Sequence, residues 1–141
     1  MYVTLTKKKL FVILCTLLAV LILLLQFFSV KAERVKLVTN AQRVEYINSL
    51  GVKLLSDDYR SKTVVIPKEF DSVYNNYNKL QLTANLDLTA YKGKKVTVYT
   101  YDCANETVVN LMIYKDRLIG GDIAETRFRG SMKPLKGDTN G

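Results

Sequence analysis

The sequence contains no histidine among its 141 residues. Histidine is the commonest general base and the commonest metal ligand, so its absence excludes every standard Ser-His and Cys-His nucleophile pair. A glycine-rich phosphate-binding loop is also missing, because Gly120 and Gly121 lack the required spacing and fall in a strand pattern. The residue types that mark the most familiar catalytic and phosphate-binding sites are therefore not present in this chain.

Cysteine is scarce as well, with Cys15 inside a hydrophobic stretch and Cys103 far along the chain. We do not expect the two to pair, so there is no disulfide framework, and no cysteine cluster has zinc-binding spacing. Cys103 has no basic neighbour of known position, which favours a small buried residue over a reactive thiol. We predict no cofactor and no metal ion, and we expect packing to stabilise the fold.

One long uncharged stretch is present, at residues 10–30. At about 1.5 Å per helical residue, it is long enough to cross a hydrocarbon core of about 30 Å. A signal peptide cleaved after Ala32 is the alternative, but the apolar region of such a peptide usually has only about 7–15 residues. Lys7, Lys8 and Lys9 precede the stretch and favour a cytoplasmic N-terminus. We therefore predict a single-pass membrane protein whose domain faces outward.

The net charge is +8 at pH 7, from 21 basic and 13 acidic residues. Beyond the hydrophobic stretch the basic residues are dispersed, and Lys92, Lys94 and Lys95 form the only tight group. A nucleic-acid-binding protein normally concentrates them on one face, so we do not expect nucleic acid as a partner. The predicted organisation is a cytoplasmic tail at 1–9, a transmembrane anchor at 10–30, a linker at 31–38, an extracytoplasmic domain at 39–134 and a flexible tail at 135–141.

Two helices are predicted within the domain. Thr39 and Gln42 have the spacing of a capping box, and Gly51 suits a C-terminal stop, which together predict a helix over residues 40–50. The second helix is indicated by apolar residues at offsets of three and four. These residues are Phe70, Val73, Tyr74, Tyr77, Leu80 and Ala84.

Alternating β-forming residues predict strands, most clearly in the second half of the domain. The predicted strands cover residues 52–55, 63–66, 94–101, 109–113 and 117–124. Lys115 and Asp116 form the expected tight turn between the last two. We predict an α+β fold, a small two-layer domain in which two helices cover one face of an antiparallel sheet that ends in a C-terminal β-meander. The strand order stays open.

Aromatic and basic residues suggest one candidate partner surface. Tyr99 and Tyr101 alternate on one face of a predicted strand, and Lys92, Lys94 and Lys95 precede them. If that face is open, the rings form a platform for a carbohydrate or a protein partner. If it is covered, the tyrosines are packing residues, which is the commoner outcome for such side chains.

The segment Gly120-Gly121-Asp122 is a second candidate site. Two adjacent glycines would let a peptide or glycan strand approach the sheet, with Asp122 holding a polar group. The structural alternative, which we favour, is a β-bulge capped by the aspartate.

Carboxylates are the only remaining candidates for catalysis. A pair facing each other across a cleft could act on sugars, but nothing in the sequence places any two of them together. The candidates are Asp57, Asp58, Asp87, Asp102, Asp122 and Glu125. A calcium site at Asp57 and Asp58 lacks the usual loop pattern.

Between Arg43 and Met132 the chain carries a series of short motifs in a defined order. They are VVIPKEFDSVY at 64–74, YN at 77–78, LQ at 80–81, DL at 87–88, YKGK at 91–94, YTY at 99–101, NL at 110–111 and IGGDI at 119–123. In this order they resemble an uncharacterised bacterial family catalogued as domain of unknown function four-eight-three-zero. The resemblance implies a Gram-positive, often spore-forming source and a single N-terminal membrane segment. It implies no catalytic residue, and the cysteine usual after the Gly-Gly-Asp motif is replaced here by Ala124.

Together these features predict a membrane-anchored, non-enzymatic interaction module of the bacterial cell envelope. The expected partner is another envelope protein or the wall polymer. The alternative is a carboxylate-dependent enzyme acting on cell-wall or spore-coat material, with Asp122 and Glu125 as the first candidates.

Overall fold

The computed structural model describes residues 6–28 and 34–136, and the chain divides into two units, Met1–Glu33 and Arg34–Gly141. The described part of the first unit forms helix α1 (Lys7–Phe28). Within the two described ranges, no helix combines the length and the apolar character needed to cross a membrane. The predicted anchor continues to Val30, and its last residues and the alternative cleavage position at Ala32 lie outside the described residues. The transmembrane assignment stays a prediction.

The second unit is an α+β domain with an antiparallel sheet, as the sequence predicts. Its helices are α2 (Asn40–Ser49), α3 (Ser72–Leu82) and a 3₁₀ helix (Leu88–Tyr91). Its strands are β1 (Arg60–Val65), β2 (Lys95–Cys103), β3 (Thr107–Tyr114), β4 (Arg117–Glu125) and β5 (Met132–Lys133). They follow one another in the order β1-β2-β3-β4-β5, and each is antiparallel to its neighbour. The predicted meander is confirmed, and β1 and β5 extend it at both ends.

The first domain helix begins at the predicted capping box. The Thr39 hydroxyl accepts a hydrogen bond from the Gln42 amide at 3.2 Å, and the Gln42 side-chain oxygen accepts one from the Thr39 amide at 3.1 Å. Gly51 follows the helix with φ of +77°, the left-handed conformation that suits a helix stop. The capping side chains at its start and the left-handed glycine after its end therefore set both ends of α2.

Helix α3 buries part of the face that its hydropathy predicts, including its two tyrosines, together with polar residues beside it. Val73 is 73% exposed, whereas Asn78 and Gln81 are buried. The Asn78 side-chain oxygen accepts a hydrogen bond from the Leu88 amide at 2.8 Å, so a polar side chain binds the backbone of the 3₁₀ helix. Apolar spacing alone cannot predict such a buried polar contact.

The two short predicted strands have different outcomes. Residues 52–55 form no strand, and Leu54 makes only an isolated bridge to Cys103. The second is confirmed and begins earlier than predicted, at Arg60. Its first residues are polar and exposed, so they carry no hydrophobic alternation that would reveal them.

The helices lie on opposite faces of the sheet, which corrects the two-layer prediction. Tyr101 of β2 accepts a hydrogen bond from Arg43 of α2, whereas Asp122 of β4 accepts one from Tyr77 of α3. Asp122 is the register partner of Asn110, which pairs with Thr100, the neighbour of Tyr101. Because successive strand residues point to opposite faces, α2 and α3 cover different faces. The arrangement is helix, sheet, helix.

Two groups of buried apolar side chains form the core. The larger includes Ile47 of α2 with Tyr101, Val109 and Leu111, and the smaller consists of Ile66, Leu88, Val96 and Ile119. Leu37 and Leu135 are buried in the larger group. These two residues come from segments predicted to be a linker and a tail, and the structure packs both on the domain.

Candidate ligand-binding groove

Four polar side chains form a line across the sheet on the face toward α3. Arg60 pairs in register with Thr100, Thr100 with Asn110, and Asn110 with Asp122. Register partners in an antiparallel sheet project to the same side, so one residue from each of β1 to β4 contributes to a continuous polar row. Burial increases along this row, from exposed Arg60 to Asp122, which is 4% exposed.

The hydrogen bonds of the polar row converge on Asp122. The Thr100 hydroxyl donates to Asn110 Oδ1 at 2.7 Å, and Asn110 Nδ2 donates to Asp122 Oδ1 at 2.9 Å. From the other side, the Tyr77 hydroxyl donates to Asp122 Oδ2 at 2.7 Å. Across residues 6–28 and 34–136, neither of the two side-chain ion pairs involves Asp122. A nearly buried carboxylate is thus held only by uncharged donors.

The electrostatic effect of Asp122 appears in the pKa of Tyr77. Burial of the phenol raises this pKa far above its usual value, and the negative charge of Asp122 raises it further. The Tyr77 hydroxyl therefore keeps its proton and acts as a donor to the carboxylate. This contact joins α3 to the polar row.

A groove of about 330 Å³ opens over this part of the sheet, beside α3. Its walls are mostly apolar, Asn110 and Asp122 are its polar residues on β3 and β4, and Lys62 is exposed on β1. The lining residues are Lys62, Val64, Val65, Pro67, Tyr74, Val98, Asn110, Met112 and Asp122. The groove therefore combines an aliphatic and aromatic wall with one buried carboxylate.

The space next to the glycine pair beside Asp122 is filled by other parts of the same domain. The register of β3 and β4 shifts between Met112 and Ile113, which leaves Ile119 as the extra residue of a bulge. A Cβ atom at Gly120 would lie 2.8 Å from Leu88 Cδ2, and one at Gly121 would lie 2.2 Å from the Asn110 carbonyl oxygen. No ligand strand has room to approach at these glycines, and only Asp122 of the predicted motif lines the groove.

Tyr101 does not form the open aromatic platform, the first of the two alternatives that the sequence allows. Its ring is fully buried, and its hydroxyl accepts a hydrogen bond from Arg43 Nε at 2.8 Å and donates one to Asn40 Oδ1 at 2.7 Å. The Arg43 guanidinium lies 3.9 Å from the centre of the Tyr99 ring. Both tyrosines pack with α2, in agreement with the packing alternative.

The three lysines of that predicted surface also lie apart from the tyrosines. The Lys92 ammonium lies 4.7 Å from the centre of the Phe70 ring, which packs with the smaller core group. Lys94 and Lys95 are exposed, and four residues of strand separate Lys95 from Tyr99, about 13 Å. The predicted surface is therefore not assembled as one patch.

The two carboxylates considered first for catalysis do not face each other. Asp122 and Glu125 are three residues apart on β4 and point to opposite faces. Hydrogen bonding from the Ser131 amide, and then from Arg127, lowers the pKa of the Glu125 carboxyl. Among the described residues, no three acidic or cysteine side chains are grouped so as to hold a metal ion.

Several residues of the site escaped the sequence-based prediction. The sequence pattern marks Thr100 and Asn110 only as strand residues, and Tyr77 only as a core residue. A usable signal was the presence of Asn110 in the middle of an apolar strand, since asparagine is depleted in strands. Comparison of the chain with known protein families, with curated proteins and with solved structures finds no match.

Proposed function

We propose that this protein is a membrane-anchored, extracytoplasmic interaction module of the bacterial cell envelope, and that the groove is its binding site. The observation that carries the proposal is Asp122, a nearly buried carboxylate that lines an open groove. Burying a carboxylate costs solvation free energy, which hydrogen bonds from two uncharged groups offset only in part. A ligand that supplies a further donor would stabilise the carboxylate, so the arrangement favours binding.

The location in the envelope rests on the sequence. Residues 10–30 carry no charge, and Lys7, Lys8 and Lys9 precede them. This pattern favours an anchor with a cytoplasmic N-terminus and an outward-facing domain. The resemblance to a bacterial family with one N-terminal membrane segment supports the same location.

A binding role fits the groove better than catalysis does. Glu125 points to the opposite face of the sheet from Asp122, and Asp102 is engaged in an ion pair with Arg60. Two facing carboxyl groups are what glycoside hydrolysis normally requires. The proposal therefore moves the partner surface from Tyr99 and Tyr101 to the opposite face of the sheet.

The test is in-cell cross-linking of the full-length protein, followed by mass spectrometry of the captured partners. Lys62→Trp places a large ring on the groove side of β1, and Ser61→Trp places the same ring on the other side of the same strand. Both positions are exposed, so both variants are expected to fold.

We expect a recurrent partner that is lost with Lys62→Trp and kept with Ser61→Trp. Circular dichroism of both variants checks that the loss does not come from unfolding. Equal capture by the two variants, or no recurrent partner for the unmodified protein, would contradict the proposal.

A further inference from the structure

We infer that the groove binds a protonated primary amine on an aliphatic stem, of the kind that a lysine side chain of a partner peptide presents. This inference rests on the proposed function, since it names the chemical group that the interaction site recognises. The charge of Asp122, its free acceptor capacity and the apolar walls beside it support the inference.

Donors from the described part of the chain use only half of the acceptor capacity of Asp122. A carboxylate can accept about four hydrogen bonds, and Asp122 accepts one from Tyr77 and one from Asn110. An ammonium group carries three donors and a positive charge, and charge-assisted hydrogen bonds are roughly twice as strong as neutral ones. An amine at Asp122 would therefore complete both the hydrogen bonding and the charge balance.

The walls of the groove suit the rest of such a ligand. Val64, Val98 and Met112 present aliphatic surface, and Tyr74 adds an aromatic ring. Methylene groups gain free energy when they leave water for such a surface, and an ammonium beside a tyrosine ring gains cation–π attraction. The volume of about 330 Å³ is at the lower end of the range for small-ligand sites.

Other ligand classes fit the groove less well. An anion would be repelled by Asp122, and a neutral apolar ligand would cover the carboxylate without pairing it, which is costly. Lys62 is exposed on the β1 side of the groove, where it favours an acidic group next to the amine. The structure thus favours a zwitterionic segment over a polycationic one.

The experiment uses two peptide-like probes on the full-length chain in non-ionic detergent. Nα-acetyl-lysine methylamide carries the ammonium, and Nα-acetyl-norleucine methylamide has a similar aliphatic stem without it. Amide NMR shifts at Gly121 and Asp122 report binding at the groove. We expect the lysine probe to bind at least about tenfold more tightly than the norleucine probe, because one charge-assisted contact exceeds about 1.4 kcal/mol.

Two carboxamide variants locate the contact. Asp122→Asn is expected to weaken binding of the lysine probe at least about tenfold. Asp102→Asn is the matched control, since Asp102 is on the same face of the sheet but is exposed and paired with Arg60 at 2.7 Å. It is expected to leave binding unchanged. Equal affinity for both probes, or undiminished binding by a folded Asp122→Asn variant, would overturn the inference.

The probe comparison does not require the variant to fold, so it stands even if Asp122→Asn unfolds. It also separates this inference from the proposed function. If Lys62→Trp abolishes partner capture but the two probes bind with equal affinity, the amine assignment fails and the interaction module stands. If the lysine probe binds at Asp122 but no partner is captured in cells, the amine site stands and the proposed envelope role fails.

Discussion

Among the residues that the structure describes, one charged side chain is buried on each face of the sheet, and the two differ in what surrounds the charge. On the α2 face, Arg43 is 4% exposed, donates to the Tyr101 hydroxyl and contacts the Tyr99 ring. On the α3 face, Asp122 is equally buried and accepts a hydrogen bond from the Tyr77 hydroxyl. In both cases the hydrogen bond to a tyrosine hydroxyl joins a helix to the sheet.

The difference lies in what covers the other side of each charge. The rings of Tyr59 and Tyr99 lie within 5.1 Å of the Arg43 guanidinium, so aromatic surface surrounds this cation. Asp122 instead lines an open groove. A buried charge enclosed by its own protein contributes to the fold, whereas one that faces a groove also offers a contact to a ligand.

The largest expected effect is at Gly121 of β4, whose backbone contacts side chains of both flanking layers. Its φ is +149°, its amide donates to Gln81 Oε1 at 2.9 Å, and a Cβ atom here would lie 2.2 Å from the Asn110 carbonyl oxygen. Because a backbone carbonyl cannot move cheaply, we expect Gly121→Ala to lower the free energy of unfolding by about 3 kcal/mol or more. Urea denaturation of the full-length chain measures it.

The matched control is Gly51→Ala. Gly51 also has a positive φ, +77°, but a Cβ atom there would meet nothing within 4 Å. We therefore expect Gly51→Ala to lower the free energy of unfolding by only about 1 kcal/mol, the cost of placing alanine in a left-handed conformation. Similar losses of unfolding free energy at Gly51 and Gly121 would show that the close contact with the Asn110 carbonyl does not restrict position 121.

The next effect sharpens the contrast between a buried and an exposed arginine. Arg43→Ala removes the hydrogen bond to Tyr101 and the contact with the Tyr99 ring, so we expect a loss of about 2–4 kcal/mol in unfolding free energy. Arg43→Lys keeps the charge but loses the planar contact and the Nε donor, and about 1–2 kcal/mol is expected. Thermal and denaturant unfolding measure both variants.

Arg60→Ala is the comparison for Arg43. Arg60 pairs with Asp102 at 2.7 Å, but their side chains are 64% and 54% exposed, so solvent screens the pair. The loss of unfolding free energy caused by Arg60→Ala should therefore be much smaller than that caused by Arg43→Ala. An equal loss of unfolding free energy for Arg43→Ala and Arg60→Ala would contradict the view that the enclosed arginine contributes more to the fold than the exposed one.

The smallest effect is a change in pH dependence at Tyr77. Its pKa is raised in the folded protein by burial and by Asp122, so the folded state retains a proton that the unfolded state loses near pH 10. The contribution of Tyr77 is fully present below pH 10 and is lost as the pH rises towards the folded pKa. The decline is at most about 1.4 kcal/mol per pH unit for one proton.

Tyr77→Phe should therefore unfold more easily at pH 8, yet lose less stability between about pH 10 and pH 12 than the unmodified chain. Tyr74→Phe is the matched control on the same helix. Burial raises the pKa of Tyr74 as well, but less than that of Tyr77, so a smaller change is expected. Parallel pH profiles for Tyr77→Phe and the unmodified chain would contradict the raised pKa.

The sequence by itself determined the elements whose signals are local. The capping box of Thr39 and Gln42 marks the start of α2, and the alternation within residues 94–124 predicts the β-meander. The tight turn at Lys115 and Asp116 was predicted too, and both residues have positive φ. These features depend on neighbours within a few positions of the chain, which is why pattern and propensity reveal them.

Only the tertiary structure decided how these elements face one another. Whether Tyr101 was open or covered depended on α2, which comes from a segment about 60 residues earlier in the chain. The polar row joins β1 to β4, and the site that it forms includes Tyr77 of α3. Alternation assigns each strand residue to one of two faces, but not to the helix that covers it. Burial of Asp122 beside a groove arises from contacts distant in sequence, and such contacts leave no periodic signal.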